Sequence, residues 1–180
     1  MKTDNSYFEQ KKALRQDVLD MLEKDEVKVL ELYAGKSLMW NDLKKSNPQK
    51  KIIVFSIEKE KGKNRKALTG DNLKFLSSIN LDRFDIIDVD AYGYPFAQIE
   101  HIEKRGFRGF VVVTAIQSLY GSVPKKLLKY SGISDEMIKK IHSLFFQNGF
   151  VYLKNFLYLC GVKQVTGFFI SRKNYFYYKH

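Results

Sequence analysis

The sequence predicts an α/β fold: a mostly parallel β-sheet covered on both faces by helices, with an antiparallel hairpin added at its C-terminal end. Three observations carry this expectation. The apolar runs "VKVLEL", "IIVFSI", "FDIIDV" and "GFVVVT" have the length and β-branched content of strands buried on both faces. Segments with apolar residues at helical spacing lie between them, as parallel strands require. The last stretch, "VTGFFISRKNYFYYKH", sets two apolar and aromatic arms around the polar "SRKN", which is a hairpin signal.

Each element follows from its pattern. From Tyr7 to Lys24, Phe8, Leu14, Val18, Leu19, Met21 and Leu22 recur at helical spacing among charged residues, predicting an amphipathic helix. "VKVLELYA" is the first strand. "SLMWNDLKK" predicts a short helix that Asn47 and Pro48 terminate. "KKIIVFSIEKE" is the second strand, ending at Glu58. The basic piece "KEKGKNRKALTG" is too short for a long crossover helix. "DNLKFLSSI" predicts a helix that Asp71 caps. "FDIIDVDAYGYP" is a third strand running into a turn at Gly93 and Pro95, "FAQIEHIEKRG" a helix and "GFVVVTA" a fourth strand. "SDEMIKKIHSLFFQNGF" predicts a helix with acids in its first turn, where they suit the helix dipole, and "FVYLKNFLYLC" extends or follows it.

Composition narrows the function classes. A chain of 180 residues, 44% hydrophobic and 14% aromatic, fits one globular domain over residues 1–180, with an N-terminal helix in 1–25 and the core in 27–180. Thirty-one Lys and Arg against 20 Asp and Glu give a net charge of +11, which favours a polyanionic partner such as nucleic acid. No apolar run is long enough to span a membrane, and the polar start "MKTDNSYFEQKK" has no signal core, so the expected location is cytoplasmic. Three scattered histidines (His101, His142, His180) and the single Cys160 have no zinc-site spacing, so no metal is expected.

The turn "ELYAGKS" excludes two phosphate-binding readings. The ATP-binding loop G-x-x-x-x-G-K-[ST] would need a glycine at Leu30, and a dinucleotide turn G-x-G-x-x-G needs more than the lone Gly35. What remains is a strand carrying Glu31, followed by a tight turn through Ala34, Gly35 and Ser37. Two further strands also end in acids, at Glu58 and at Asp88 and Asp90. A carboxylate roughly 20 residues past such a turn can accept both hydroxyls of a ribose, and Glu58 stands at about that distance.

The order E-L-Y-A-G-K-S, I-E, G-D-N and D-V-D-A-Y-G-Y-P resembles the Rossmann-type (class I) S-adenosylmethionine-dependent methyltransferases, over about Val27 to Tyr178. The resemblance implies a three-layer fold with S-adenosylmethionine as cofactor. It implies that Glu31, Tyr33 and Gly35 hold the methionine part, Glu58 the ribose and Asp71 the adenine side, while Asp88 to Gly93 faces cofactor and methyl acceptor. Ser37 stands where the family often has a second glycine. "FDIIDVDAYGYP" followed by "GFVVVTA" further resembles a segment of the tRNA guanosine dimethyltransferases, D-x-D-P-F-G-x-P, with Ala91 in place of proline.

Methyl transfer is an in-line displacement, so the protein must position the nucleophile and exclude water. Asp90 is the candidate to accept the hydrogens of an exocyclic amine, and Tyr92 the candidate to stack on its base. Cys160 lies in the apolar "FLYLCGV", the context of an inert thiol, which argues against methylation at a pyrimidine carbon. The basic segments "KEKGKNRK" and "VPKKLLK" follow strand ends, offering Lys61, Lys63, Arg65, Lys125 and Lys126 to phosphates. The expected function is methylation of RNA, tRNA-like, at an exocyclic nitrogen. Three alternatives stand beside it: a DNA amino-methyltransferase, for which an N-P-P-Y or D-P-P-Y turn is missing; a non-catalytic nucleic-acid-binding module on the same fold; and a small-molecule methyltransferase.

Overall fold

The computed structural model describes residues 7–62, 64, 66–117, 123–140, 149–170 and 172–180. The described residues open with helix α1 (Phe8–Asp20), strand β1 (Glu26–Leu32), helix α2 (Leu38–Ser46) and strand β2 (Lys51–Glu58). Next come the two-residue strand β3 (Leu68–Thr69), helix α3 (Asn72–Ser78), a 3-10 turn (Leu81–Arg83) and strand β4 (Ile86–Asp90). Helix α4 (Phe96–Lys104), strand β5 (Phe110–Ile116) and helices α5 (Lys125–Tyr130), α6 (Asp135–Lys140) and α7 (Gly149–Leu159) follow. The hairpin strands β6 (Val165–Ile170) and β7 (Lys173–Lys179) end the chain.

The seven strands form one sheet in the order β3-β2-β1-β4-β5-β7-β6. Strands β1 to β5 are parallel, and β7 inserts antiparallel between β5 and β6. The mostly parallel sheet with a terminal antiparallel hairpin is the expected one. Strand β3, helix α5 and the 3-10 turn are additions, all too short to leave a periodic signal. The expected helix from Ser134 keeps its start in α6, but residues 141–148 lie outside the described residues.

The two-residue alternation of strands divides the chain's apolar residues between two layers. Val27 and Val29 of β1, Ile86 of β4 and Val112 of β5 meet Val18 and Leu19 of α1 and Trp40 and Leu43 of α2. Leu30, Leu32, Ile87, Val89 and Val113 meet Phe96 and Ile99 of α4 and Leu153 and Phe156 of α7 on the other face. Each fully buried side chain of this size contributes about 1.5–3 kcal/mol. The order of strands reverses between β1 and β4, which makes their C-terminal ends the topological switch point, where open α/β sheets bind ligands.

Candidate active site at the ends of the parallel strands

The same alternation that packs Val27 and Val29 toward α1 and α2 carries Glu31 onto that face, and it carries Asp88 and Asp90 there beside Ile86. Glu31 pairs in register with Asp88 across β1 and β4, and with Ser56 across β1 and β2. The strand-end acids therefore converge on one side of the sheet.

After β1 the chain turns through three residues in left-handed conformation, Tyr33 (φ 62), Gly35 (φ 53) and Ser37 (φ 50). Only glycine takes that region without strain, so Tyr33 and Ser37 are held by their surroundings. The amide of Ala34 donates to the carbonyl of Ile57, Gly35 donates its amide to Glu58 Oε2 at 2.7 Å, and Ser37 returns its own amide to the Ala34 carbonyl at 2.7 Å. Tyr33 packs its ring against the α4 and α7 core. The turn is thus anchored on β2, and Glu58 sits directly against its glycine. The other Glu58 oxygen accepts the amide of Glu60.

Glu31 is buried, and its Oε2 accepts the hydroxyls of Ser37 (2.7 Å) and Ser56 (2.6 Å). Asn64 donates in turn to Ser37 Oγ at 2.8 Å. Burial pushes the Glu31 carboxyl up to about 7, against the two hydroxyl hydrogen bonds that favour the charged form. A carboxyl poised there is uncommon, and perturbed groups of this kind cluster at functional sites.

Asp88 is placed differently from the expectation. It is 1% exposed, and its carboxylate is closed by Arg15 of α1, with Nε on Oδ2 at 2.7 Å and Nη2 on Oδ1 at 2.6 Å, while the Trp40 indole donates to Oδ2 at 2.7 Å. Both carboxylate oxygens are therefore taken by protein donors, and Asp88 is the buried counter-ion of α1 rather than a group facing a ligand. Asp90, one step toward the strand end, is half-buried and pairs with Lys11 of α1 at 2.9 Å. Although burial opposes it, the Arg15 and Lys11 charges hold the Asp90 carboxyl below the ordinary carboxylate range. Asp90 is a permanent acceptor at neutral pH.

The remaining expected residues are scattered around this centre. Tyr92 is 65% exposed at the strand-end rim, just before Gly93 (φ 142). Asp71 is exposed and caps α3, accepting the amides of Leu73 and Lys74. Lys61 and Lys125 are exposed. Lys126 does not stand free, because its Nζ pairs with Glu100 of α4 at 2.7 Å. Lys63 and Arg65 lie outside the described residues. Sequence reasoning missed Lys11 and Arg15, although their four-residue spacing places both on the helix face that meets the sheet. It also missed Ser56, which the strand period puts on the face of Glu58. Among the described residues no group of His, Cys, Asp and Glu could hold a metal, and no helix is long and apolar enough to cross a membrane.

No family model matches the sequence, and no curated protein matches it. Solved structures do match the fold. A protein of Methanococcus maripaludis described as an S-adenosyl-L-methionine-dependent methyltransferase superposes with a TM-score of 0.55 at 11% identity, over 96% of this chain and 86% of that one. The CurJ carbon methyltransferase gives 0.58 at 14% identity over 94% of this chain, which spans 54% of that one. The precorrin-6y C5,15-methyltransferase of Geobacter metallireducens gives 0.51 at 14% identity, over 93% and 87%. At these identities the similarity is one of architecture: the chain has the seven-stranded, Rossmann-like fold of the class I S-adenosylmethionine-dependent methyltransferases.

Proposed function

We propose that the protein is an S-adenosylmethionine-dependent methyltransferase whose acceptor is an exocyclic nitrogen of RNA. The observation that carries the cofactor is the pair of buried acids, Glu31 and Glu58, on either side of a strained turn at the switch point of this fold. The residues fit the group. Glu31 suits its cationic methionine end and Glu58 its ribose hydroxyls, with the Tyr33–Gly35 turn between them. When bound, the cofactor supplies an electrophilic methyl group on a sulfonium.

The chain's own task is then positioning. Asp90, held ionised by Arg15 and Lys11, is a poor base but a good acceptor for amine hydrogens, and so orients a nitrogen lone pair without removing a proton. Tyr92 offers an exposed ring at the rim on which an unpaired base can stack. The charge of +11 supports a nucleic-acid substrate, with the exposed Lys61 and Lys125 following the ends of β2 and β5 in sequence.

Calorimetric titration with S-adenosylmethionine and S-adenosylhomocysteine tests the cofactor. Binding of either in the micromolar range, weakened at least tenfold by Glu58→Ala, is the expected result. Transfer of labelled methyl to bulk tRNA, and not to duplex DNA, at about 150 mM salt tests the acceptor. One observation favours a second reading, a non-catalytic binding module: the Glu58 carboxylate is already occupied by the Gly35 amide, so the turn is closed on its own acid. Absence of cofactor binding with retained, salt-dependent RNA binding selects that reading. Transfer only to small acceptors, such as the one named for the precorrin enzyme, overturns the RNA assignment.

A further inference from the structure

We infer that the groove between α2 and β2, which adjoins the turn at Lys36 and Ser37, is a binding site for a phosphate group. The connection from β2 to β3 carries no helix among the described residues, so the face of β2 beside α2 has no second helix over it. A cavity of about 340 Å³ lies there, lined by Val54 and Ser56 of β2, Trp40 and Lys44 of α2, Lys36 and Ser37 of the turn, and Lys66. Three of its lining residues are lysines, and none is acidic.

The lysines are the informative part. Seven lysines elsewhere, Lys11, Lys12, Lys24, Lys51, Lys104, Lys126 and Lys129, each have an acid within 2.9 Å, whereas others such as Lys61 and Lys125 are exposed but do not line this cavity. Lys36, Lys44 and Lys66 make no ion pair among the described residues, yet they surround one concavity. Three ammonium groups around a low-dielectric wall concentrate a positive potential, and a compact oxyanion is the ligand that satisfies it. A groove open at the surface accepts either a phosphodiester in a nucleic-acid strand or a terminal phosphomonoester. The chemistry recognised is the same.

The molecule carries its own probe, because Trp40 is the single tryptophan of the chain and lines the groove. Inorganic phosphate, and separately an octauridylate without terminal phosphates, are titrated in about 100 mM salt, following Trp40 emission and heat release. A saturable response is expected, weakened several-fold by Lys44→Gln or Lys66→Gln alone and at least tenfold by both together. Lys74→Gln, on α3, leaves it unchanged. Both groove lysines are exposed, and an unchanged melting midpoint verifies that the variants fold. Response to the octamer alone identifies backbone phosphodiesters, and response to phosphate alone identifies a phosphomonoester. A flat response to both probes, or an affinity indifferent to Lys44→Gln and Lys66→Gln together, overturns the inference. Glu58→Ala, expected to lose the cofactor, keeps the phosphate response, so the groove and the cofactor reading fail independently.

Discussion

Replacing Arg15 by Met removes the cation that balances Asp88 while roughly keeping its volume. In the wild type both groups are 1% exposed and joined by two hydrogen bonds of 2.6 and 2.7 Å, and Arg15 Nη1 also donates to the Lys11 carbonyl at 2.9 Å. Removing one partner of a buried pair costs about 3–5 kcal/mol, because the other charge stays behind uncompensated. Trp40 still donates to Asp88, which argues for the lower end, about 3 kcal/mol. With a urea slope of about 2–3 kcal/mol per molar, the unfolding midpoint falls by about 1–1.5 M. Adding Asp88→Asn removes the stranded charge and keeps an acceptor for the indole, so the double variant recovers to within about 1 kcal/mol of wild type. Acidity gives an independent signature. Burial already raises the Asp88 pKa against the opposing Arg15 charge, and losing that charge raises it further. A group with a raised folded pKa loses stability as pH rises through that pKa, so the variant's deficit against wild type shrinks as pH falls. A midpoint shift under about 0.3 M, or a double variant no better than the single, refutes this account of α1.

Glu31, whose folded pKa lies at about 7 against an ordinary 4.5, contributes full stability below 4.5 and loses it as pH rises toward 7. Glu31→Gln is therefore more stable than wild type at about pH 8, by up to about 3 kcal/mol in urea unfolding. A cation binding beside Glu31 displaces its proton, so S-adenosylmethionine titrated in buffers of differing ionisation heat shows proton release near neutrality, and Glu31→Gln abolishes it. Gly35→Ala has room for its methyl group, the nearest atom being the Tyr33 carbonyl oxygen at 4.0 Å, but must hold φ 53; a loss of about 1–2 kcal/mol by thermal unfolding is expected. Gly167→Ala has no room, since its Cβ would overlap the Tyr175 carbonyl oxygen and crowd Phe176 Cα at 2.6 Å; about 2 kcal/mol or more is lost as β6 separates from β7. Circular dichroism and amide exchange across the hairpin measure that separation.

The parallel sheet was legible because each central strand is a dense apolar run, and no other packing buries such runs on both faces. Glu31, Glu58 and Asp90 were legible as acids at the C-terminal ends of parallel strands, although burial of the first two was not. Asp88 was misplaced for a specific reason. The run "DIIDVD" ends in two acids one pleat apart, and nothing local reveals that Arg15 and the Trp40 indole close on Asp88 while Lys11 pairs with Asp90. The turn's strain was equally hidden, since left-handed φ at Tyr33 and Ser37 arises from their anchoring on β2 and α2 rather than from their own preferences. The length of "KEKGKNRKALTG" already excluded a long crossover helix, but no local pattern showed that the face of β2 beside α2 would be left open, with no helix over it among the described residues.

The contact between α1 and β4 also bears on how the protein is made. At about 5–20 residues per second, the ribosome delivers Arg15 some 4–15 s before Asp88 exists to receive it. During that interval Val18 and Leu19 can already meet β1 and α2, but the Arg15 guanidinium has no Asp88 to pair with, so this ion pair forms only once β4 is made. Loss of α1 would leave Asp88 and Asp90 of β4 without their counter-charges.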